Sequence, residues 1–243
     1  MRLFACVSYK GTNYQGWQKQ KSAPTVQSEI EKVLSKILNT EINIYASGRT
    51  DAGVHANHQY FHFDIDKDVD IDRLMYSTNC LLPKDIKINS LKRVDDDFHA
   101  RFSAKKKEYK YIVNLKGNNP FNYELNAEMY LDVDDNLLKE SLDLFIGEHN
   151  FQDFTSKEED DNNFVRTIYS TSFTRSGDQL VVSFIGNGFM RYQIRDMVAT
   201  ALMVASNKES IEFIKQHLKD KKERDIVSYK APAEGLYLEE VYY

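Results

Sequence analysis

The apolar residues of this 243-residue chain switch between two spacings, and the order of the switches restricts the fold more than any composition figure does. Leu3 to Tyr9 reads as a strand, with loop residues following from Gly11 to Gly16. Val26, Ile30, Val33, Leu34, Ile37 and Leu38 recur at helical spacing, and Pro24 stands just ahead, where proline suits a helix start. Ile42, Ile44 and Ala46 alternate as a strand. Gln59, Phe61, Phe63 and Ile65 alternate again, against Tyr60, His62 and Asp64 on the other face. A helix is expected from Ile71 to Leu81 and a strand from Ile86 to Val94. The second half roughly repeats that order. It offers a strand from Tyr109 to Leu115 and a helix from Asn136 to Phe145, with Asp134 or Asp135 as cap. A hairpin then joins Phe164 to Arg175 with Gln179 to Ile185 across Ser176-Gly177-Asp178, and two helices follow, Arg191 to Ser206 and Ile211 to Leu218. The pattern predicts an α+β fold of two tandem ferredoxin-like halves, with antiparallel sheets flanking a central active-site cleft. The halves are expected as residues 1–104 and 105–243, joined near Ser103 to Lys107.

Hydrophobic residues make up 42% of the chain and charged residues 28%, enough for a real core under a soluble surface. No stretch approaches the roughly 20 apolar residues that a spanning helix needs. The start, Met1-Arg2 running straight into Leu3-Phe4-Ala5-Cys6-Val7, has no secretory pattern, and Cys6 and Cys80 form neither a metal spacing nor a disulfide framework. These features predict a cytoplasmic protein. The formal net charge of −5 argues by itself against a nucleic-acid binder, but the charge is segregated. Arg101 to Lys116 holds six basic residues and one acid, whereas Asp64 to Asp72 holds five aspartates and one lysine. Glu158-Glu159-Asp160-Asp161 is a second acidic run, and both acidic runs read as solvated faces. In the basic run Phe102, Tyr109 and Tyr111 interleave with the cations, a combination suited to stacking on bases beside phosphates.

Gly48-Arg49-Thr50-Asp51-Ala52-Gly53-Val54-His55 concentrates a carboxylate and a guanidinium between two glycines, in a loop between apolar runs. Turn chemistry alone accounts for many such aspartates. The sharper reading makes Asp51 a nucleophile. An aspartate titrates near 3.9, so about three units of upward shift would be needed to neutralise it, and a guanidinium from Arg49 or Arg195 opposes that shift. His55, His58 and His62 carry helical spacing, but the alternation around them predicts a strand that scatters them, so no metal site is expected. Gly186-Asn187-Gly188 ahead of a helix is neither a P-loop nor a dinucleotide fingerprint, so no nucleotide cofactor is expected.

Gly48 to Ala56, GRTDAGVHA, resembles the catalytic signature of the tRNA pseudouridine synthase A family, with Asp51 in the place of the nucleophilic aspartate. Tyr9 to Gln18 is similar to the family's YDGTxYxGWQ stretch, and Pro24-Thr25-Val26-Gln27 to its TVQ helix start. Ala100 to Ala104 followed by Tyr109 resembles its ARFSA…Y segment, Gly147 to Phe154 its GxHxFxxF element, and Glu234 to Leu238 its EGLYL. Arg191 to Arg195 reads RYQIR where HHMVR is commoner, and His149-Asn150-Phe151 replaces HDF. The resemblance implies isomerisation of uridine to pseudouridine at positions 38, 39 and 40 of the tRNA anticodon stem-loop, without metal or cofactor. It implies that the target base is flipped out, that Asp51 is the nucleophile, and that Tyr109 stacks on the base. It implies further that Arg195 pairs with Asp51 and that Lys105, Lys106, Lys107 and Lys110 meet phosphates. It also implies a homodimer in which each tRNA touches both subunits. Three other readings stand beside it: a non-catalytic RNA-binding protein that would not need Asp51, a metal-dependent hydrolase using the histidines, and a glycoside-type hydrolase with paired carboxylates.

Overall fold

A computed structural model describes residues 1–117, 119–156 and 163–243; the acidic run from Glu158 to Asp161 lies outside the described residues. In chain order the elements are β1 (Arg2–Tyr9), α1 (Val26–Leu38), β2 (Tyr45–Ala46), β3 (His55–Asp64), α2 (Ile71–Leu81), β4 (Ile86–Val94), β5 (Lys106–Asn114), β6 (Ala127–Glu128), α3 (Asp135–Asp143), β7 (Gly147–Asn150), β8 (Val165–Ser176), β9 (Gln179–Gly186), α4 (Gln193–Ala205), α5 (Ile211–Leu218) and β10 (Leu236–Tyr242). The chain divides into two compact units, residues 1–105 with 237–243, and residues 106–236. It is a mixed α/β protein.

In the first unit β1 pairs antiparallel with both β3 and β4, and β2 pairs with β3. Leu34 of α1 and Met75 and Thr78 of α2 face Ala5, Phe61, Phe63, Ile88 and Leu91 of the strands, so both helices cover one side of the sheet. The start of α1 is fixed by its own sequence. Thr25 accepts from the Ser28 amide at 3.2 Å and Ser28 Oγ accepts from the Thr25 amide at 3.2 Å, a reciprocal cap worth about 1 kcal/mol. Asp70 caps α2 by accepting from Arg73 N at 3.0 Å. The expected strand at Ile42 to Ala46 shrinks to β2. Ser35 Oγ accepts from Ile42 N at 2.9 Å and Glu31 Oε1 from Ile44 N at 3.1 Å, so side chains of α1 take amides that a ladder would have used.

In the second unit the order is β5-β9-β8-β7, with β6 on β5. The hairpin between β8 and β9 turns at Gly177-Asp178, where Gly177 has φ +60°, a value that glycine adopts without steric cost. Asp134 caps α3 through Asn136 N and Leu137 N, and its own amide donates to Ala205 O at 2.9 Å, joining the start of α3 to the end of α4. From Met197 to Leu202 every residue of α4 is buried. A helix stretch buried on all sides belongs inside a core.

The expectation of antiparallel sheets needs correction at two places. β10 runs parallel to β3, with Tyr237 opposite His55 and Leu238 opposite Ala56, and β6 runs parallel to β5. A parallel neighbour needs a long connection. The chain supplies one by returning its last strand to the first unit after all of the second.

Candidate active site

The loop carrying Asp51 is held on two sides by its own unit. From the N-terminal side, Trp17 N donates to Thr50 O at 3.1 Å, Gly53 N to Tyr14 O at 3.3 Å, and the Tyr9 hydroxyl meets Thr50 Oγ1 at 2.8 Å. From the β3 side, Gln59 Nε2 donates to Gly48 O at 3.0 Å, while Gln59 Oε1 accepts from Ser47 Oγ at 2.5 Å. Within the loop, Val54 N donates to Asp51 O at 3.2 Å, and Gly53 has φ +79°. Each bond contributes about 1 kcal/mol, so together they fix a loop that its own sequence would leave mobile.

Two glycines let the N-terminal segment lie against this loop. A Cβ on Gly16 would sit 2.6 Å from Thr50 O, and one on Gly11 would sit 2.0 Å from Val54 O. Thr50 is buried, Asp51 half-buried and Arg49 exposed, so the loop turns the hydroxyl inward and leaves the carboxylate at its edge. Burial pushes the Tyr9 phenol well above its ordinary range, opposed by the bond to Thr50, so it stays a neutral hydrogen-bonding group at physiological pH.

Strand β3 carries an irregularity between Ala56 and Gln59, and the three histidines along it take different partners. His55 Nδ1 accepts from Gly11 N at 2.9 Å and its ring packs on Tyr237 at 4.7 Å, while His62 Nδ1 accepts from Ala100 N at 3.2 Å. His58 Nδ1 lies 2.8 Å from Glu239 O. The three rings thus serve three separate structural contacts.

In the second unit Tyr109 lies on β5, 8% exposed, with its ring edge-on to Phe189 at 5.3 Å. Because β5 begins at Lys106, alternation sets Lys107 on the face of Tyr109 and Tyr111, and sets Lys106 and Lys110 with Glu108 on the other. Lys105 precedes the strand in the first unit, where its amide donates to Tyr242 O at 2.8 Å. The four lysines therefore do not form one stripe. Tyr111 donates to Pro232 O at 2.9 Å, and burial raises its pKa.

Arg195 sits in the first turn of α4. Its Nε donates to Ala231 O at 2.7 Å and its own carbonyl accepts from Ala231 N at 3.1 Å. The helix starts at Gln193 and not at Arg191, because Tyr192 takes a left-handed backbone with φ +65°. Such a conformation is uncommon for a bulky residue and tends to mark sites held by their surroundings. Around the Tyr192 ring stand Lys230 Nζ at 4.0 Å, Arg191 Cζ at 4.8 Å and Arg195 Cζ at 5.2 Å. Tyr192 and Lys230 stand beside Arg195 in a way the sequence did not suggest: nothing local announces a positive φ at a tyrosine.

Among the described residues there is no cluster of three or more potential metal ligands, and no helix long and apolar enough to cross a membrane. A family profile described as tRNA pseudouridine synthase matches residues 5–103 and 142–243. A tRNA pseudouridine synthase A of Streptococcus uberis is 38% identical over 248 residues, covering 100% of this chain and 98% of its own length. Relatives of the same name are 36% identical in Colwellia psychrerythraea, covering 100% and 94%, and 39% identical in Anoxybacillus flavithermus, covering 100% and 99%.

Proposed function

This chain belongs to the tRNA pseudouridine synthase family, and from that premise we propose a reaction path for it. The chain isomerises uridine to pseudouridine within tRNA. The bond from ribose C1′ to uracil N1 breaks, the base turns, and C1′ joins C5; the C5 proton leaves and N1 regains one, so atoms and charge balance with no redox change. A stacked base hides C1′ and C5, so the target nucleotide is flipped out before reaction. Asp51 acts as nucleophile. Tyr109 stacks on the extruded base, and Arg195 pairs with Asp51 and fills the gap left in the RNA. Arg49, Lys105, Lys106, Lys107 and Lys110 contact substrate, giving an affinity that falls with salt.

The observation that carries the reading is the loop of Gly48 to Val54, anchored from Tyr9, Tyr14 and Trp17 on one side and Gln59 on the other. A nucleophile on so constrained a loop costs little to orient when substrate arrives. The antiparallel set β4-β1-β3, with β2 also paired to β3, supports a ferredoxin-like first half. The homodimer, the cytoplasmic location and the target positions 38, 39 and 40 belong to the same proposal. Incubation with unmodified tRNA transcripts, followed by mapping at nucleotide resolution, tests it. Pseudouridine is expected at those positions; modification elsewhere overturns the assignment of targets, and none at all overturns the activity.

A further inference from the structure

On the first unit a ladder of rings leads from the sheet to the surface. Tyr45 of β2 stacks on His62 of β3 at 5.2 Å and 23°. His62 meets His99 edge-on at 4.5 Å, and His99 meets Phe102 at 4.3 Å. The inner rings are fixed. His62 Nδ1 accepts from Ala100 N, and His99 Nδ1 accepts from Arg101 N at 3.1 Å, while Ser103 Oγ accepts from His99 N at 3.1 Å and closes the turn. Arg2 braces the same segment by donating to Phe98 O at 2.9 Å. The outer rings are open, with Phe102 76% and Tyr45 52% exposed, and Arg101 lies 5.8 Å from the Phe102 ring.

Single exposed aromatics need no explanation, but a braced ladder ending in two open rings beside an arginine does. His62 lies seven residues along β3 from His55, where the Asp51 loop enters the strand, and Tyr45 lies three residues before Gly48, where that loop begins. Flat exposed rings next to a cation suit unpaired nucleobases with their phosphates, since every base has a face to stack and a charge to neutralise. Arg101 is itself exposed, and its charge complements RNA phosphate in a chain that is acidic overall.

We propose that Phe102 and Tyr45, flanked by Arg101, form a second RNA contact on which unpaired bases of the tRNA stack, apart from the nucleotide that reacts. The proposal rests on the reading that the chain acts on tRNA.

The test measures the Kd of an unmodified tRNA transcript across a salt series for wild type, Phe102→Ala, Phe102→Trp and Arg101→Ala. A stacked base contributes enough that Phe102→Ala weakens binding roughly 5- to 150-fold. Because stacking releases no counterions, the slope of log Kd against log salt stays the same in Phe102→Ala, while Arg101→Ala lowers it by about one. Phe102→Trp restores affinity. Unchanged affinity in Phe102→Ala overturns the proposal, as does a loss that tryptophan does not restore. Unchanged affinity together with a loss of self-association assigns the rings to a second copy of this chain and also overturns it. Wild-type turnover is measured alongside. If wild type makes no pseudouridine the family activity fails, whereas full wild-type turnover with an unaltered Kd in Phe102→Ala counts against the ladder alone.

Discussion

Replacing Gly11 with alanine asks whether the N-terminal segment sets the position of Asp51. The added Cβ would lie 2.0 Å from Val54 O, where ordinary contact begins near 3.4 Å, so one backbone must yield by about 1.4 Å. The obstructing atoms are the Val54 carbonyl and the Gly53 backbone, within three residues of Asp51. Overpacking of this kind costs about 1–3 kcal/mol and lowers Tm by roughly 2–12 °C for a chain of this size. A displacement on the order of 1 Å at a reacting group costs about 100-fold in rate. We therefore expect Gly11→Ala to remain folded at 25 °C, to bind tRNA within about threefold of wild type because affinity is spread over phosphates, and to lose about 100-fold in kcat. The assay is tritium release from tRNA labelled at uridine C5, paired with a binding isotherm and a melting curve. Gly177→Ala is the control: its Cβ enters open space at φ +60°, so it loses about 1–2 kcal/mol of stability and no turnover. A Gly11→Ala protein with wild-type kcat would refute the claim that this contact positions the loop.

Tyr109→Leu should lower kcat/KM by about 5- to 150-fold if a base stacks there, and Tyr109→Phe by less; full activity in the leucine variant removes the stacking role. Lys106 and Lys110 share one face of β5, and their joint replacement by alanine should reduce the salt slope of tRNA binding by about 1.5, whereas an unchanged slope places that face off the RNA path. The His62 pKa is pushed down to about 4, mainly by burial, then by His99 and Arg2. The unfolded chain therefore takes up a proton below about 6.5 that the folded chain refuses until about 4. Stability falls across that window as pH drops, by at most about 3 kcal/mol, and is fully present above it. Urea midpoints against pH should show the slope, and His62→Gln should flatten it; an unchanged slope in that variant would place its origin elsewhere.

Local pattern was enough wherever local physics decides. The apolar stripe placed α1 at Val26–Leu38, and the Ser176-Gly177-Asp178 signal placed the β8–β9 hairpin. It failed where distant groups intervene. The Ile42 to Ala46 strand lost its amides to Ser35 and Glu31, and α4 began two residues late because Tyr192 is left-handed. Neither β7 nor the seating of β10 beside β3 carries a periodic signal, since a short or late-returning strand is fixed by its partner. The loop around Asp51 was legible from its residue types. The clamp on it was not, because Tyr9, Gly11 and Trp17 meet it across more than thirty residues of chain. The lysines looked like one basic stripe until the start of β5 at Lys106 split them between two faces.

The most direct test of the account is tritium release by Asp51→Asn, which keeps the shape of the side chain and removes its charge. The account predicts no product above background after hours with excess enzyme, while tRNA affinity stays within a few-fold of wild type. Product formation near the wild-type rate would contradict it.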